Sequence, residues 1–352
     1  MLLLDYTRSD INEKVKMKKD TFSNLKKVVA KAKNISILTH VNPDGDAMGS
    51  SLGLFHYLKK KKKNVKVIVP NSFPGFLKWL PGSKQVLVFE GHEAKTQKQI
   101  TGSDLVFILD FNNYSRLEKL STLLNASKAP KILIDHHRQP DTRFDHYFHD
   151  EHASSTAELV YDFVCGIDPK NKIDKNTATC LHTGILTDTG SFRFPSTSEK
   201  TFRITASLVK AGANNAEIYN KVYDDYTEQR LKLLGHCLDK LSFIHEYNAA
   251  YIALSEEELK RFDYKKGDTE GIVNYALSVR GVKFSAFFSE KDGIIKISFR
   301  SKGKFDVNKF ARAHFNGGGH VNAAGGMSKL PLQQTIENFL NILPTYKADL
   351  NK

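Results

Sequence analysis

The sequence has few cysteines and no long apolar run. Its three cysteines, Cys165, Cys180 and Cys237, form no Cys-x-x-Cys pair in 352 residues, so neither a disulfide framework nor a cysteine metal site is indicated. No apolar stretch approaches the roughly 20 residues that a membrane-spanning helix needs. The apolar start, Met1-Leu2-Leu3-Leu4, is far too short for a signal peptide. We therefore expect a protein of a reducing cytoplasm without a membrane partner.

Acidic residues are scarce relative to basic ones. The chain has 52 Lys and Arg against 39 Asp and Glu, a formal net charge of +13. A positive field favours anionic ligands such as phosphate esters, although an excess of lysine also serves solubility alone. The run Lys59–Lys63 is typical of the solvated end of a helix. Between Lys283 and Arg312, however, eight basic residues stand against three acidic ones, next to a glycine-rich segment.

Apolar runs alternate with helical patterns through the first half of the chain, as in an open parallel sheet. The predicted strands of this half are Ile35–Thr39, Val65–Val69, Val86–Phe89, Leu105–Leu109 and Lys131–Ile134. From about residue 155 to 245 the pattern is mainly helical, and Ser155-Thr156-Ala157-Glu158 reads as a capping box. Strands are then predicted at 249–254, 282–289 and 294–300, with helices near 269–279, 306–315 and 332–342. This later pattern indicates a second, smaller α/β domain.

Carboxylates and imidazoles follow the predicted strands of the first half. Four short stretches carry them: His40-Val41-Asn42-Pro43-Asp44-Gly45-Asp46, Asp110, Asp135-His136-His137 and Asp188. Each except Asp188 comes directly after a short apolar run, and the carboxyl ends of parallel strands share one edge of a sheet. An unpaired carboxylate buried after five apolar residues, as at Asp110, would be costly, so a cation is the simpler partner. Asp188 is expected in a turn after a buried helix.

The spacing after His40 favours two metal ions. Carboxylates four and six residues later let His40 and Asp44 face one ion while Asp46 reaches another; alternatively, Asp46 caps the helix that begins near Ala47. The donor set, two imidazoles and four carboxylates without sulphur, suits Mn²⁺, with Mg²⁺ or Co²⁺ as substitutes. Two ions about 3.5–4 Å apart, bridged by a carboxylate, support in-line displacement at phosphorus. We therefore expect a two-metal hydrolase of phosphoesters or phosphoanhydrides.

The strings HVNPDGDAMGS, ILDFNN, LIDHHRQPD and TGILTDTGSFRF resemble the four motifs of the DHH phosphoesterase superfamily. Phe299-Arg300-Ser301 and the later Gly317-Gly318-Gly319-His320 resemble the GGGH motif of its DHH-associated substrate domain. The resemblance covers roughly residues 20–345. With the strand pattern, it predicts a parallel-sheet catalytic domain with helices on both faces (20–215), a helical connector (216–245) and a smaller α/β substrate-binding domain (246–345). A cleft is expected between the two domains.

The resemblance also implies a role for each candidate site residue. It assigns the metal ligands as follows: His40 and Asp44 to the first ion, Asp46, His136 and Asp188 to the second, and Asp110 as the bridge. His137 matches the histidine that contacts the scissile phosphate and protonates the leaving oxygen, and Asp135 matches a position that orients an imidazole. The matched substrate residues are Arg300, Gly317, Gly318, Gly319 and His320. Arg116 and Arg193 are weaker substrate candidates, since each is as typical of a surface salt bridge, and the glycine run is also compatible with an ordinary flexible loop.

Within the superfamily, the two-domain length resembles the nanoRNase branch. That resemblance implies a cytoplasmic, Mn²⁺-dependent enzyme that hydrolyses short oligoribonucleotides to mononucleotides and also dephosphorylates 3′-phosphoadenosine-5′-phosphate. A stand-alone cyclic di-AMP or linear pApA phosphodiesterase is the main alternative, and a non-catalytic nucleotide- or RNA-binding protein is a further one. Phe111-Asn112-Asn113 and Asn322 depart from the family's usual strings and leave substrate preference open. A homodimer is also left open.

Overall fold

The computed structural model describes residues 19–351, so the stretch Met1–Leu4 lies outside the described residues. The chain divides into two compact units, the first ending at Asp225 and the second beginning at Tyr226. This division falls inside the connector predicted over 216–245, and the predicted domain limits stay a prediction. Among residues 19–351, no helix combines the length and apolar composition that crossing a membrane requires.

The first unit contains a six-stranded sheet with the order β3-β2-β1-β4-β5-β6, in which every pair of neighbours is parallel. Its elements, in chain order, are α1 (Lys19–Lys31), β1 (Asn34–Leu38), α2 (Gly45–Lys60), β2 (Asn64–Val69), β3 (Leu87–Val88), α3 (Glu93–Thr101), β4 (Leu105–Leu109), α4 (Leu120–Ala126), β5 (Lys131–Asp135), β6 (His146–His149), α5 (Thr156–Ile167), α6 (Lys175–Asp188), α7 (Glu199–Lys210) and α8 (Asn215–Tyr223). The five strands predicted from continuous apolar runs therefore form, each within one residue of the expected bounds.

Both faces of this sheet are covered by helices. All five residues of β4 are buried, and they alternate between two apolar cores: Phe107 and Leu109 face one, while Val106 and Ile108 face the other. The first core is completed by residues of α1, α2, α5 and α6, and the second by residues of α3 and α4. A strand buried on both faces has no polar side to show, which explains its unbroken apolar run. The predicted fold class is confirmed for this unit.

Helices α2 and α6 approach each other unusually closely. Glycine recurs at every fourth residue of α2, at Gly45, Gly49 and Gly53. A Cβ added at Gly49 would lie 2.6 Å from the Cys180 carbonyl oxygen and from the Gly184 nitrogen, both in the α6 backbone. Cβ atoms added at the other two glycines would collide with side chains of α6. This glycine stripe lets the start of α2 lie beside the end of α6.

The second unit contains another six-stranded sheet, with the order β11-β12-β10-β9-β8-β7. Its pairs are antiparallel except β8–β9, which is parallel. Its elements are α9 (Glu228–Asp239), β7 (Ser242–Ile244), β8 (Ala249–Leu254), α10 (Glu256–Arg261), α11 (Val273–Leu277), β9 (Phe284–Lys291), β10 (Ile294–Ser301), α12 (Val307–His314), β11 (Gly318–Gly319), β12 (Ala323–Ser328), α13 (Leu332–Ile342) and α14 (Lys347–Asn351). The predicted second α/β domain is therefore present as a folded unit.

Buried phenylalanines fill the main core of the second unit. Phe284, Phe299, Phe310 and Phe339 pack with ring centroids 5.0 to 6.4 Å apart, which are ordinary distances for aromatic pairs. The helix predicted near 269–279 is shorter than expected and spans only Val273–Leu277. Left-handed glycines lie on either side of it, at Gly271 and Gly281, and such residues end a right-handed helix.

Candidate metal centre

The candidate ligands meet at the carboxyl ends of β1, β4 and β5, which are neighbours in the middle of the first sheet. His40 follows β1, Asp110 follows β4 directly, and His136 follows β5. Six of these residues form two groups, and within each group the potential ligand atoms lie within 4.8 Å of one another. The first group is His40, Asp44 and Asp110, and the second is Asp46, His136 and Asp188. The two groups are those that the spacing and the family resemblance predict for two ions.

Asp110 faces both groups. Its Oδ2 lies 3.5 Å from His40 Nε2, and its Oδ1 lies 3.6 Å from His136 Nε2. The residue adopts a left-handed backbone conformation with φ of 64°, which is uncommon for a non-glycine residue and is found disproportionately at functional sites. One carboxylate is thus directed toward two donor sets, as a bridging ligand would be.

The centre is buried and brings several carboxylates close together. His40, Asp46, Asp110 and His136 are each at most 5% exposed. Burial, together with the charges of Asp110 and Asp44, raises the pKa of Asp46 well above its ordinary value. Burial and the charge of Asp44 likewise raise the pKa of Asp110. Carboxylates crowded in this way repel one another, and a divalent cation would offset that repulsion.

The two histidines are suited to bind a cation as neutral imidazoles. Burial and the nearby Arg116 lower the pKa of His40 to about 4, and burial and His137 lower the pKa of His136 to about 4. His40 Nδ1 lies 2.7 Å from the Val41 carbonyl oxygen, whereas its buried Nε2 has no hydrogen-bond partner among the described residues. His136 Nδ1 lies 3.2 Å from a carbonyl oxygen in the same way. Such bonds fix the ring so that Nε2 points at the carboxylates, an arrangement common in metal sites.

Asp44 and Asp46 are held by different helices. Asp44 is the N-cap of α2, and its Oδ1 accepts hydrogen bonds from the amides of Asp46 and Ala47. The alternative that Asp46 caps this helix is therefore wrong. The Asp46 carboxylate instead accepts hydrogen bonds from the amides of Thr156 and Ala157, at the start of α5.

Asp188 is the last residue of α6 rather than part of the turn that follows. Its Oδ2 lies 3.3 Å from His136 Nε2. The close packing of α6 on α2 brings this carboxylate to the strand ends, although Asp188 itself follows no strand. Asp188 therefore joins the centre through helix packing.

Asp135 orients the second histidine of the Asp135-His136-His137 motif. Its Oδ1 lies 2.7 Å from His137 Nδ1, and the carboxylate is fully buried. Burial alone would raise the pKa of Asp135, but the charge and hydrogen bond of His137 lower it to about 2. An ionised carboxylate at Nδ1 makes that nitrogen a donor and directs the Nε2 edge of the ring away from Asp135.

The two weaker arginine candidates differ in position. The Arg116 carbonyl oxygen accepts a 2.8 Å hydrogen bond from the Val41 amide, beside His40. Its charge is the second cause, after burial, of the lowered pKa of His40. Arg193 Nε donates a 2.8 Å hydrogen bond to the Gly190 carbonyl oxygen and so closes its own turn. The structure thus gives Arg193 a local structural partner.

In the second unit, the predicted substrate residues lie on or beside two strands of the same sheet. Arg300 belongs to β10, Gly318 and Gly319 form β11, and β12 lies between those strands. A Cβ at Gly317 or Gly319 would collide with a carbonyl oxygen of β12, and Gly319 also has φ of 152°. A Cβ at Gly318 would meet no atom closer than 3.6 Å. The close approach of β12 therefore explains why positions 317 and 319 are glycines. The His320 amide, directly after β11, donates a 2.7 Å hydrogen bond to the Ala323 carbonyl oxygen.

Two features that contribute to the centre were not predicted from the sequence. One is the glycine stripe on α2, which its four-residue spacing could have revealed. The other is Thr156, whose hydroxyl donates a 2.9 Å hydrogen bond to Asp110 Oδ1. The stretch Ser155-Thr156-Ala157-Glu158 had indicated only a helix cap.

Comparison with known proteins gives a consistent result. Residues 34–185 match the DHH family, N-terminal domain, and residues 246–348 match the DHHA1 domain. A Streptococcus mutans protein named probable bifunctional oligoribonuclease and PAP phosphatase NrnA is 33% identical, over 86% of this chain and 93% of that protein. A Thermus thermophilus bifunctional oligoribonuclease and PAP phosphatase NrnA is 32% identical, over 87% of this chain and 88% of that protein.

Among solved structures, an exopolyphosphatase-related protein from Bacteroides fragilis is 42% identical, with a TM-score of 0.91. The match covers 95% of this chain and 98% of that one. These matches span nearly the whole length of each relative, so the likeness includes both folded units.

Proposed function

The chain belongs to the DHH family and is a phosphoesterase, and on that premise we propose that it hydrolyses short oligoribonucleotides to mononucleotides with two divalent metal ions. The observation that carries the proposal is Asp110, whose two oxygens face two separate groups of ligand atoms. Relatives that match most of the chain are named as oligoribonucleases and PAP phosphatases. We therefore propose 3′-phosphoadenosine-5′-phosphate as a second substrate.

In this proposal Mn²⁺ is the preferred ion, with Mg²⁺ or Co²⁺ as substitutes, because the donors are imidazoles and carboxylates only. His40, Asp44 and Asp110 would hold the first ion. Asp46, His136 and Asp188 would hold the second, with Asp110 shared. When bound, the pair of ions supplies an activated nucleophile and offsets the negative charge on the phosphoryl group.

The protein's own groups then position the substrate and move a proton. Asp135 engages Nδ1 of His137, so we assign proton donation to the leaving oxygen to Nε2 of that ring. We assign Arg116, whose charge lowers the pKa of His40, to a contact with substrate phosphate. We propose that the nucleotide contacts Arg300, His320 and the segment Gly317–Gly319.

A turnover assay tests this proposal with four substrates in Mn²⁺: 5′-pApA, a longer 5′-phosphorylated RNA, 3′-phosphoadenosine-5′-phosphate and cyclic di-AMP. We expect fast release of mononucleotide from pApA and no opening of cyclic di-AMP. Opening of cyclic di-AMP at a comparable rate would instead support the second-messenger alternative. Hydrolysis of none of the four would refute the enzyme assignment and favour a nucleotide-binding protein.

The assay has a matched pair of variants. Asp110→Asn removes the shared charge but keeps a residue that tolerates the left-handed conformation. Asp263→Asn makes the same change at another left-handed aspartate, with φ of 49°, which is exposed and pairs with Lys265. We expect turnover to fall at least about 100-fold in the first variant and to be unchanged in the second. Equal activity of the two variants would refute the shared-ligand role.

A further inference from the structure

The start of helix α5 is buried against the candidate metal centre. Ser154, Ser155 and Thr156 are each at most 1% exposed. Ser155 is the N-cap of α5, and its hydroxyl accepts a 3.0 Å hydrogen bond from the Glu158 amide. This bond satisfies one of the free amides that every helix leaves at its N-terminus. The capping requirement of α5 is therefore met without the side chain of Thr156.

The predicted capping box does not close, because Glu158 is turned elsewhere. Its Oε2 accepts hydrogen bonds of 2.6 Å from Ser154 Oγ and 2.8 Å from Thr201 Oγ1, and its Oε1 lies 3.3 Å from Lys200 Nζ. These contacts tie the first turn of α5 to the start of α7.

Two further amides of the first turn bind Asp46. The Thr156 amide donates a 2.6 Å hydrogen bond to Oδ2, and the Ala157 amide donates a 2.9 Å hydrogen bond to Oδ1. Both carboxylate oxygens are therefore fixed, and the negative charge lies at the positive end of the helix dipole. A Cβ at Gly184 of α6 would lie 2.8 Å from Asp46 Oδ1, so the carboxylate is also enclosed on that side.

Thr156 makes a second hydrogen bond, to the other ligand group. Its hydroxyl donates to Asp110 Oδ1 over 2.9 Å. One residue thus holds Asp46 through its main chain and Asp110 through its side chain. These two carboxylates belong to different parts of the sequence, and like charges so close together tend to move apart.

We propose that Thr156 is a positioning residue that sets the spacing between the Asp46 and Asp110 carboxylates and thereby prepares both carboxylates to bind a divalent cation. The hydroxyl matters because it occupies one lone pair of Asp110 Oδ1 and so fixes the direction of the others. Residues that orient metal ligands in this way typically contribute 10- to 100-fold to metal affinity. This inference rests on the proposed function, since it concerns the same centre.

The test is a calorimetric titration of each variant with Mn²⁺ alone. Thr156→Val keeps the shape of the side chain and removes the hydroxyl, and we expect Mn²⁺ binding to weaken by about 10- to 100-fold. Thr156→Ser keeps the hydroxyl and is expected to bind Mn²⁺ within about threefold of the wild type. Thr183→Val is the matched control, because Thr183 is also fully buried but donates to the Thr179 carbonyl of its own helix.

A purely structural role makes a different prediction. It would lower the unfolding temperature of metal-free Thr156→Val without changing its Mn²⁺ affinity, and that result would overturn the inference. If the valine variant does not fold, Thr156→Ala and Thr156→Ser provide the comparison, since they differ only by the hydroxyl. Equal Mn²⁺ affinity in that pair would also overturn it.

The wild-type protein separates the two proposals. If it binds no Mn²⁺, the two-metal function fails first. If it binds Mn²⁺ and hydrolyses pApA while Thr156→Val binds equally well, only the role of Thr156 fails.

Discussion

Replacing Gly49 with alanine should destabilise the first unit, although alanine is the better helix former. The added Cβ would lie 2.6 Å from the Cys180 oxygen and the Gly184 nitrogen, and 2.8 Å from the Gly184 Cα. The closest of these distances falls about 0.8 Å short of ordinary van der Waals contact. All three atoms are main-chain atoms of a buried helix, so no change of rotamer relieves the clash. Helices α2 and α6 must therefore move apart.

The expected loss follows from two opposing effects. Overpacking a buried contact costs about 1–3 kcal/mol, and a clash with main-chain atoms that no rotamer relieves belongs to the upper part of that range, about 2–3 kcal/mol. Replacing glycine by alanine within a helix returns about 1 kcal/mol. A net loss of about 1–2 kcal/mol lowers the unfolding temperature of a unit of this size by about 2–8 °C. Because Asp46 lies in the first turn of α2 and Asp188 ends α6, the same separation should weaken Mn²⁺ binding.

Differential scanning calorimetry, with urea unfolding, measures this change. Gly235→Ala is the control, since Gly235 lies within α9 and a Cβ there meets no atom within 4 Å. That variant should gain up to about 1 kcal/mol. A Gly49→Ala protein as stable as the wild type would show that α2 and α6 have room between them, and it would refute the reasoning from the glycine stripe.

Three further changes address orientation, strand pairing and pH. Asp135→Asn should lower kcat on pApA about 10- to 100-fold with unchanged Mn²⁺ affinity; an equal loss of Mn²⁺ affinity would contradict an orienting role. Gly319→Ala should destabilise the second unit by about 1–3 kcal/mol because its Cβ collides with β12, whereas Gly318→Ala should leave the urea midpoint unchanged and raise KM for pApA. Burial alone would raise the pKa of Glu258, but Lys240 and nearby hydrogen bonds hold it at about 2. The free energy of unfolding of the wild type should therefore exceed that of Glu258→Gln by about 1 kcal/mol above pH 4.5, after allowance for solvent screening. Urea titrations should show this difference disappearing as the pH falls toward 2.

The strand ends of the first unit were predictable from local sequence. An apolar run that stops at a histidine or aspartate places that residue at the carboxyl end of a strand, and parallel strands end on one edge. These two rules together predict that His40, Asp110 and His136 lie close to one another. Strand order is not needed for this prediction, because all the strands of the sheet share one direction.

The remaining parts of the centre depend on contacts between distant segments. Asp46 is held by the amide of Thr156, 110 residues later in the chain, and spacing within either segment carries no sign of that pairing. Asp188 reaches the centre because α6 packs closely on α2. The turn around Gly317 was predicted from its motif, but its need for glycine comes from the pairing of β11 with β12.

The position of bound metal tests the central claim most directly. Crystals of the wild-type protein grown with Mn²⁺, measured at a wavelength where manganese scatters anomalously, should show two peaks about 3.5–4 Å apart. One should lie among His40, Asp44 and Asp110, and the other among Asp46, His136 and Asp188, with Asp110 touching both. A single peak, or none at millimolar Mn²⁺, would contradict the two-metal account.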